Sequence, residues 1–331
     1  MTSIDGRPVP DLLGPSIVVA IPTLRRNEHL RALLPLLVAQ AADLEATSTS
    51  AVRVLVVDND PSGGAEAMVR ETRTALVETR SAPSAWSALD YLRQPAPGLA
   101  AVRNAALEAA GERLLVFMDD DGRPDEGWLT HLVATWRRSG AAAVAGRVVE
   151  RYEREPPRWV VAGEFFRRFS MPTLTEVTVA PTGNLLLDME VVRRLGLTFD
   201  ERFGSTGGED TLFTSQLTAR GGRIVWCDES RVIDLVPESR TTRQWVLARQ
   251  RSQGILAVRV ADALAVDTGR LAAQRVAYLG RGSARLAYGL GRAAYGTLRE
   301  DLAANAKGLK TAHRGVGMLL AAVTPPSRPG P

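Results

Sequence analysis

The sequence predicts an α/β fold, a mainly parallel sheet flanked by helices, continued by a helical basic C-terminal extension. Three observations predict it. Apolar runs of strand length alternate with amphipathic, helix-like segments through the first half. Several of those runs end in carboxylates, and the charge is split between an acidic body and a basic tail. Ligands of open α/β sheets bind beyond the carboxyl ends of the strands, so the acid-tipped ends mark the functional edge.

SIVVAIP (16–22) reads as the first strand and the segment from Glu28 to Gln40 as the helix after it. AVRVLVVDND (51–60) is the second strand, followed by a helix over residues 65–76. SALDYLRQ (87–94) is a third, more exposed strand, and GLAAVRNAALEAA (98–110) is a helix. RLLVFMDDD (113–121) is the fourth strand and EGWLTHLVATWRR (126–138) its helix. A strand, a helix and a further strand in sequence imply parallel pairing through a crossover. AAAVAGRVVE (141–150) is another strand, leading into an irregular stretch rich in Arg, Pro and aromatics. VTVAPTGNLLLD (177–188) and GGRIVWCDESRVIDL (221–235) are strand-like and flank the glycine-rich segment FGSTGGEDTLFTSQLTAR (203–220). From Thr241 onward the pattern is helical, and the Pro-rich end TPPSRPGP is expected to fray. The expected division is an N-terminal tail over 1–14, a catalytic domain over 15–240 and a helical basic region over 241–331.

Hydrophobic content of 45% and charged content of 24% describe a folded globular chain and exclude a disordered one. Cys227 is the single cysteine, which excludes an intramolecular disulfide or a multi-cysteine metal cluster and fits a reducing cytoplasm. The N-terminus lacks the basic start and apolar run of a secretion signal, and no uncharged apolar stretch reaches the roughly 20 residues of a spanning helix. A cytoplasmic location is expected. From Ser239 to the end, 15 Lys and Arg stand against 4 Asp and Glu, a net +11 that leaves −7 on the preceding residues.

LVFMDDDGRPD (115–125) carries the strongest chemical signal. Three consecutive carboxylates repel one another unless something positive sits among them, and a hard divalent cation, Mg²⁺ or Mn²⁺, prefers such oxygens while bridging substrate phosphates. Asp119 and Asp121 point to one side of an extended segment and suit that task better than Asp120. The alternative is a solvated acidic turn with Gly122 and Pro124. Asp58-Asn59-Asp60 is either a base-recognising strand end or a turn. Arg103 and Asn104, on an otherwise apolar helix, serve a diphosphate and the acids or form an ordinary surface pair. Glu209 and Asp210 sit where a helix begins after two glycines, as catalytic acids or as caps favoured by the helix dipole. Together these elements support glycosyl transfer from a sugar nucleotide. In that chemistry a metal neutralises the leaving diphosphate and a carboxylate deprotonates the attacking hydroxyl.

IPTLRRNEHL, VLVVDNDPSG, PGLAAVRNAAL, LVFMDDDGRPDEGWL, APTGNLLLD and FGSTGGEDTLF, in this order over about residues 15 to 250, resemble the family 2 glycosyltransferases of GT-A fold, especially the succinoglycan-type exopolysaccharide branch. The resemblance implies an inverting, metal-dependent hexosyltransferase with a nucleotide-sugar donor, a UDP-sugar being favoured. It implies that Pro22, Thr23 and Asp58 hold the base and ribose, that Arg103 and Asn104 lie by the nucleotide, and that Asp119 and Asp121 form the DxD motif, with Asp120 between them at the cofactor. Asp121 is then the direct metal ligand, Asp210 the general base, and Glu209 the residue that contacts the acceptor or orients that base. Gly183 and Asn184 line the donor-sugar pocket, with Trp159 on the acceptor side. One departure stands out: where many relatives carry a late metal-binding histidine, this chain has Asp234, either another oxygen ligand or a strand end.

The basic region 241–331 alternates small apolar residues with Arg and Lys, as in helices that lie on an anionic membrane surface. The alternatives are a packed helical appendage or a dimer interface. Nucleic acid is not expected as a partner, because aromatics are sparse and no nucleic-acid motif occurs. A lipid-linked saccharide acceptor suits peripheral attachment at the inner face of the cell membrane; a soluble secondary metabolite does not require it. A nucleotidyltransferase would normally show a glycine-rich basic loop after the first strand, which IPTLRRNEHL lacks. A non-catalytic scaffold has no need for both Asp121 and Asp210.

Overall fold

The computed structural model describes residues 14–78, 89–204 and 207–325. Residues 1–13 of the expected tail, 87–88 of the third expected strand, Ser205 and Thr206 of the glycine-rich segment, and 326–331 of the Pro-rich end lie outside the described residues.

Among the described residues, nine strands form one sheet: β1 (Ile17–Thr23), β2 (Val52–Asp58), β3 (Leu89–Arg93), β4 (Leu114–Met118), β5 (Gly122–Pro124), β6 (Ala143–Tyr152), β7 (Glu176–Val177), β8 (Asn184–Asp188) and β9 (Ile224–Val236). Their order is β3-β2-β1-β4-β8-β6-β9-β5, with β7 pairing β9. The first four are mutually parallel, and register sets Thr23 opposite Asp58 and Asp58 opposite Arg93, so three strand ends share one edge. Beyond β4 the sheet is mixed: β8 runs antiparallel to β4 and to β6, and β9 antiparallel to β5 and β7. The parallel half is thus as expected and the remainder antiparallel. Apolar periodicity defines a strand without stating the direction in which it enters the sheet.

Alternation within the strands builds two core layers. Ile17, Val19 and Ile21 of β1 face Leu30, Leu33, Leu34 and Leu37 of helix α1 (Asn27–Thr47), with α2 (Glu66–Glu78) and α4 (Trp128–Ser139) on that same side. Val18 and Ala20 face the other layer, which contains α3 (Leu99–Ala109), α6 (Met189–Arg194) and α7 (Glu209–Ala219). Burial of β1 on both faces explains its unbroken apolar run.

Among the described residues, 150–168, 207–208 and 235–325 group as a second compact unit. It contains α5 (Arg158–Ala162), α8 (Arg243–Leu264), α9 (Thr268–Leu298) and α10 (Leu302–Val323). Trp159 stacks on Phe165 at 5.0 Å and donates its indole N–H to Asn305 at 2.8 Å; Phe166 stacks on Trp245. Helices α9 and α10 meet through facing glycines: a Cβ on Gly289 would lie 2.5 Å from the Ala312 nitrogen, and one on Gly308 2.5 Å from the Ala293 nitrogen. Among the described residues no helix is long and apolar enough to cross a membrane.

Candidate active site

The carboxyl ends of β1, β2 and β4 open on a cleft of about 790 Å³, lined by Thr23, Arg26, Asn59, Arg103 and Asp119 to Asp121 among others. Strand β4 ends at Met118, and the chain turns through Asp119 to Asp121 before β5, so the acids stand on a tight turn closed by the Gly122 N–H to the Asp119 carbonyl.

The three acids have different surroundings. Asp120 is buried; it accepts from the Thr23 hydroxyl at 2.8 Å and from Arg26 Nη1 at 2.9 Å. Desolvation still holds its carboxyl above the usual range, against those two bonds. Asp121 receives the same Arg26 nitrogen at 3.0 Å. Asp119 faces the cleft with its side chain 53% exposed and has Arg103 Nη2 at 3.8 Å. Desolvation among the cleft walls, eased by Arg103 and reinforced by repulsion from Asp121, Asp120 and Asp210, pushes its carboxyl up to about 6. Asp210, in the first turn of α7, thus adds a like charge that is felt at Asp119.

Arg103 and Glu209 form a buried ion pair, their side chains 5% and 3% exposed. The guanidinium lies 5.8 Å from the Phe199 ring centroid, and Phe199 stacks on Phe213 at 4.2 Å. Among the described residues, Arg103 Nε and Glu209 Oε2 have no hydrogen-bond partner. Glu209 is thus turned onto Arg103 and away from solvent, whereas Asp210, the next residue, accepts from the Thr211 N–H at 2.6 Å.

Several expected ligand residues are turned inward. Asp58 is fully buried and accepts from the Asp60 N–H at 2.9 Å, the Ala65 N–H at 3.0 Å and the Tyr91 hydroxyl at 3.0 Å, so its carboxylate organises the loop after β2. Asn104 is spent on the Phe199 backbone, donating to its carbonyl at 2.9 Å and accepting from its N–H at 2.8 Å. Asn184, 1% exposed, accepts from the Trp128 indole at 2.8 Å and donates to the Arg147 and Ser230 carbonyls. None of the three lines the cleft. Pro22 and Thr23 do, and Gly183 abuts the site: a Cβ there would lie 2.6 Å from Asp119 Oδ2. Asp234 sits opposite Gly122 in the β5–β9 ladder, one residue from Asp121.

Two further residues shape the cleft. Asn59 donates to the Gln94 and Ala96 carbonyls and accepts from the Gly98 N–H at 3.0 Å, tying the loop after β2 to the entry of α3. Arg26 supplies positive charge to the acidic turn. Its signal in the sequence is the need of three adjacent carboxylates for a positive partner, a need that Arg26 meets in part.

Among the described residues no three His, Cys, Asp or Glu converge as a ready-made metal cage. The donors nonetheless fit a hard divalent cation, which takes one or two carboxylates and completes its shell with water and phosphate oxygens. Asp119, raised by desolvation and further by the like charges of Asp121, Asp120 and Asp210, is a carboxylate that a bound cation would relieve.

The family model "Glycosyl transferase family 2" matches residues 18–196. The chain is 32% identical over 238 residues, 72% of each chain, to the succinoglycan biosynthesis protein ExoM of Rhizobium meliloti. Its fold is similar to that of the mannosyltransferase PcManGT from Pyrobaculum calidifontis, solved with GDP-Man and Mn²⁺, at TM-score 0.55 and 18% identity over 90% of this chain and 86% of that one. It is also similar to S. aureus TarS 1-349 in complex with UDP, at TM-score 0.51 and 16% identity over 91% and 92% of the two chains.

Proposed function

Because the chain belongs to the family 2 glycosyltransferases, enzymes of GT-A fold that use nucleotide-sugar donors, we propose that it moves a sugar from a UDP-sugar to a hydroxyl of a lipid-linked saccharide, with inversion and with Mg²⁺ or Mn²⁺ at Asp119 and Asp121. The observation that carries this reading is the gathering of Asp119 to Asp121 with Arg26 and Arg103 at one cleft on the carboxyl edge of the sheet.

A divalent ion, when bound, would neutralise the charge that develops on the leaving diphosphate. Asp119 and Asp121 would hold it; Asp234 pairs with Gly122, one residue on from Asp121. Leu24, Pro61, Pro97 and Leu99 give the cleft an apolar wall suited to the face of a nucleobase. Asp58 acts at one remove, by fixing the loop that carries Asn59 and Pro61. Asp210 would take the proton of the acceptor hydroxyl as that oxygen attacks the anomeric carbon. Arg103 neutralises Glu209 and stands beside Asp119, so it sets the position and charge of both catalytic halves.

Attachment to an anionic membrane surface is proposed through α9, which carries five arginines and no acid over 31 residues. Tyr288, Tyr295 and Leu298 are exposed on it, the amphipathic and apolar groups that seat a helix at the headgroup level. This suits a lipid-linked acceptor.

The test is release of UDP from a panel of UDP-sugars with Mn²⁺ and a polyprenyl-diphosphate saccharide. Asp210→Asn should bind UDP as the wild type does and lose at least about 10²-fold in turnover, the contribution of a positioned base. Undiminished turnover would remove Asp210 as the base.

A further inference from the structure

Arg26 stands at the N-cap position of α1 without a side-chain capping bond, and one of its nitrogens is shared between two acids. Those acids are not equivalent. Asp120 is 4% exposed and its second oxygen is held by Thr23, whereas the Asp121 side chain is 21% exposed and lines the cleft. The Arg26 side chain keeps 41% of its surface and lines the same cleft. Its neighbour Arg25 takes a left-handed φ of 54° and pairs with Asp60 at 3.3 Å, so the two consecutive arginines serve different acids.

We infer that Arg26 couples metal binding to nucleotide binding. It is anchored on Asp120, bonds Asp121 through the same nitrogen, and turns to the donor diphosphate when that anion enters, which leaves the Asp121 oxygen for the divalent ion. A guanidinium and a divalent cation on one carboxylate oxygen repel each other, so metal alone binds against Arg26. A diphosphate offers the guanidinium fork paired oxygens and a larger charge than Asp121 does. Each ligand then eases the entry of the other by the same factor. The inference deepens the metal-dependent transfer proposed above and rests on it.

The experiment is Mn²⁺ binding to the full chain, read from the electron paramagnetic resonance of free Mn²⁺ with and without UDP, in wild type, Arg26→Gln and Arg26→Lys. In the wild type UDP should tighten Mn²⁺ by tenfold or more, within the roughly 5- to 150-fold range of coupled sites. Arg26→Gln should bind Mn²⁺ alone about tenfold more tightly than wild type and show a UDP effect about tenfold smaller, what remains being the direct contact of the phosphate oxygens with the ion. Arg26→Lys keeps the charge and loses the fork; it should bind Mn²⁺ alone as wild type does, with a smaller effect of UDP. It carries the test if the glutamine variant fails to fold. Variants with the wild-type Mn²⁺ affinity and the wild-type UDP effect would overturn the role of Arg26 and leave the metal-dependent reading standing. No Mn²⁺ binding to the wild type at any UDP concentration would overturn both.

Discussion

Removing either member of the Arg103–Glu209 pair should destabilise the protein far more than removing both. The two side chains are 5% and 3% exposed, and among the described residues the other acid paired with Arg103 is Asp119, whose Oδ1 is 3.8 Å from it. Glu209→Leu leaves a guanidinium that cannot shed its charge, and an orphaned buried ion costs about 3–5 kcal/mol. Arg103→Met leaves a carboxyl that burial already raises above its ordinary range. That carboxyl can take up a proton, and the two single variants should therefore differ in pH dependence. With the folded pKa above the unfolded one, Arg103→Met should be least impaired below about pH 4.3 and lose stability as pH rises through the folded value. Glu209→Leu should show no such slope from this pair. The double variant replaces the pair with apolar groups of similar size and should fall within about 1–2 kcal/mol of wild type, so single effects of about 3 kcal/mol or more each imply a coupling of at least about 4 kcal/mol at neutral pH. Urea unfolding followed by tryptophan fluorescence and circular dichroism, with matching transitions required, measures all four proteins. Additive single effects with no coupling would refute the view of this pair as a buried ion pair.

Asp119 links function to pH in the opposite sense from a stabilising carboxylate. Its pKa of about 6 lies above the unfolded value, so its contribution to metal-free stability is present at low pH and lost as pH rises through 6. Asp119→Asn should therefore raise the metal-free unfolding midpoint at pH 8, and Mn²⁺-dependent UDP affinity of the wild type should fall below about pH 6 as protons compete for the ligand. Gly183→Ala puts a methyl carbon 2.6 Å from Asp119 Oδ2 and should weaken Mn²⁺-dependent UDP binding, measured by calorimetry, with far less effect on UDP binding without metal. Replacing Arg281, Arg285 and Arg292 of α9 by Gln should reduce co-sedimentation with phosphatidylglycerol vesicles about fivefold or more per residue, at about 1 kcal/mol for each basic side chain near an anionic surface. Binding that is unchanged, or equal on phosphatidylcholine, would discard the membrane role of α9.

The positions of the acids were legible in the sequence because a buried strand must end where its apolar run ends, and Asp119 to Asp121 follow Met118 directly. Helix positions on the parallel half were legible for the same reason, through their apolar periodicity. The helix from Met189 was not, since its six residues follow the apolar run of β8 without a break; its signal is Asp188, whose carboxylate caps the Glu190 N–H. The direction in which each functional side chain turns was out of reach. Asp58 faces inward because Tyr91 arrives from another strand, and Asn184 because Trp128 and the Ser230 carbonyl come from α4 and β9. Arg26 finds its acids more than 90 residues away in sequence. Such partners follow from the fold and are invisible to local spacing.

Calorimetric titration of the full chain with UDP, GDP and dTDP, each with and without Mn²⁺, tests the central claim most directly. Binding of UDP that appears or strengthens with Mn²⁺ and is lost in Asp121→Ala is the predicted result. Binding of none of the three, or UDP binding indifferent to both Mn²⁺ and Asp121, would contradict it.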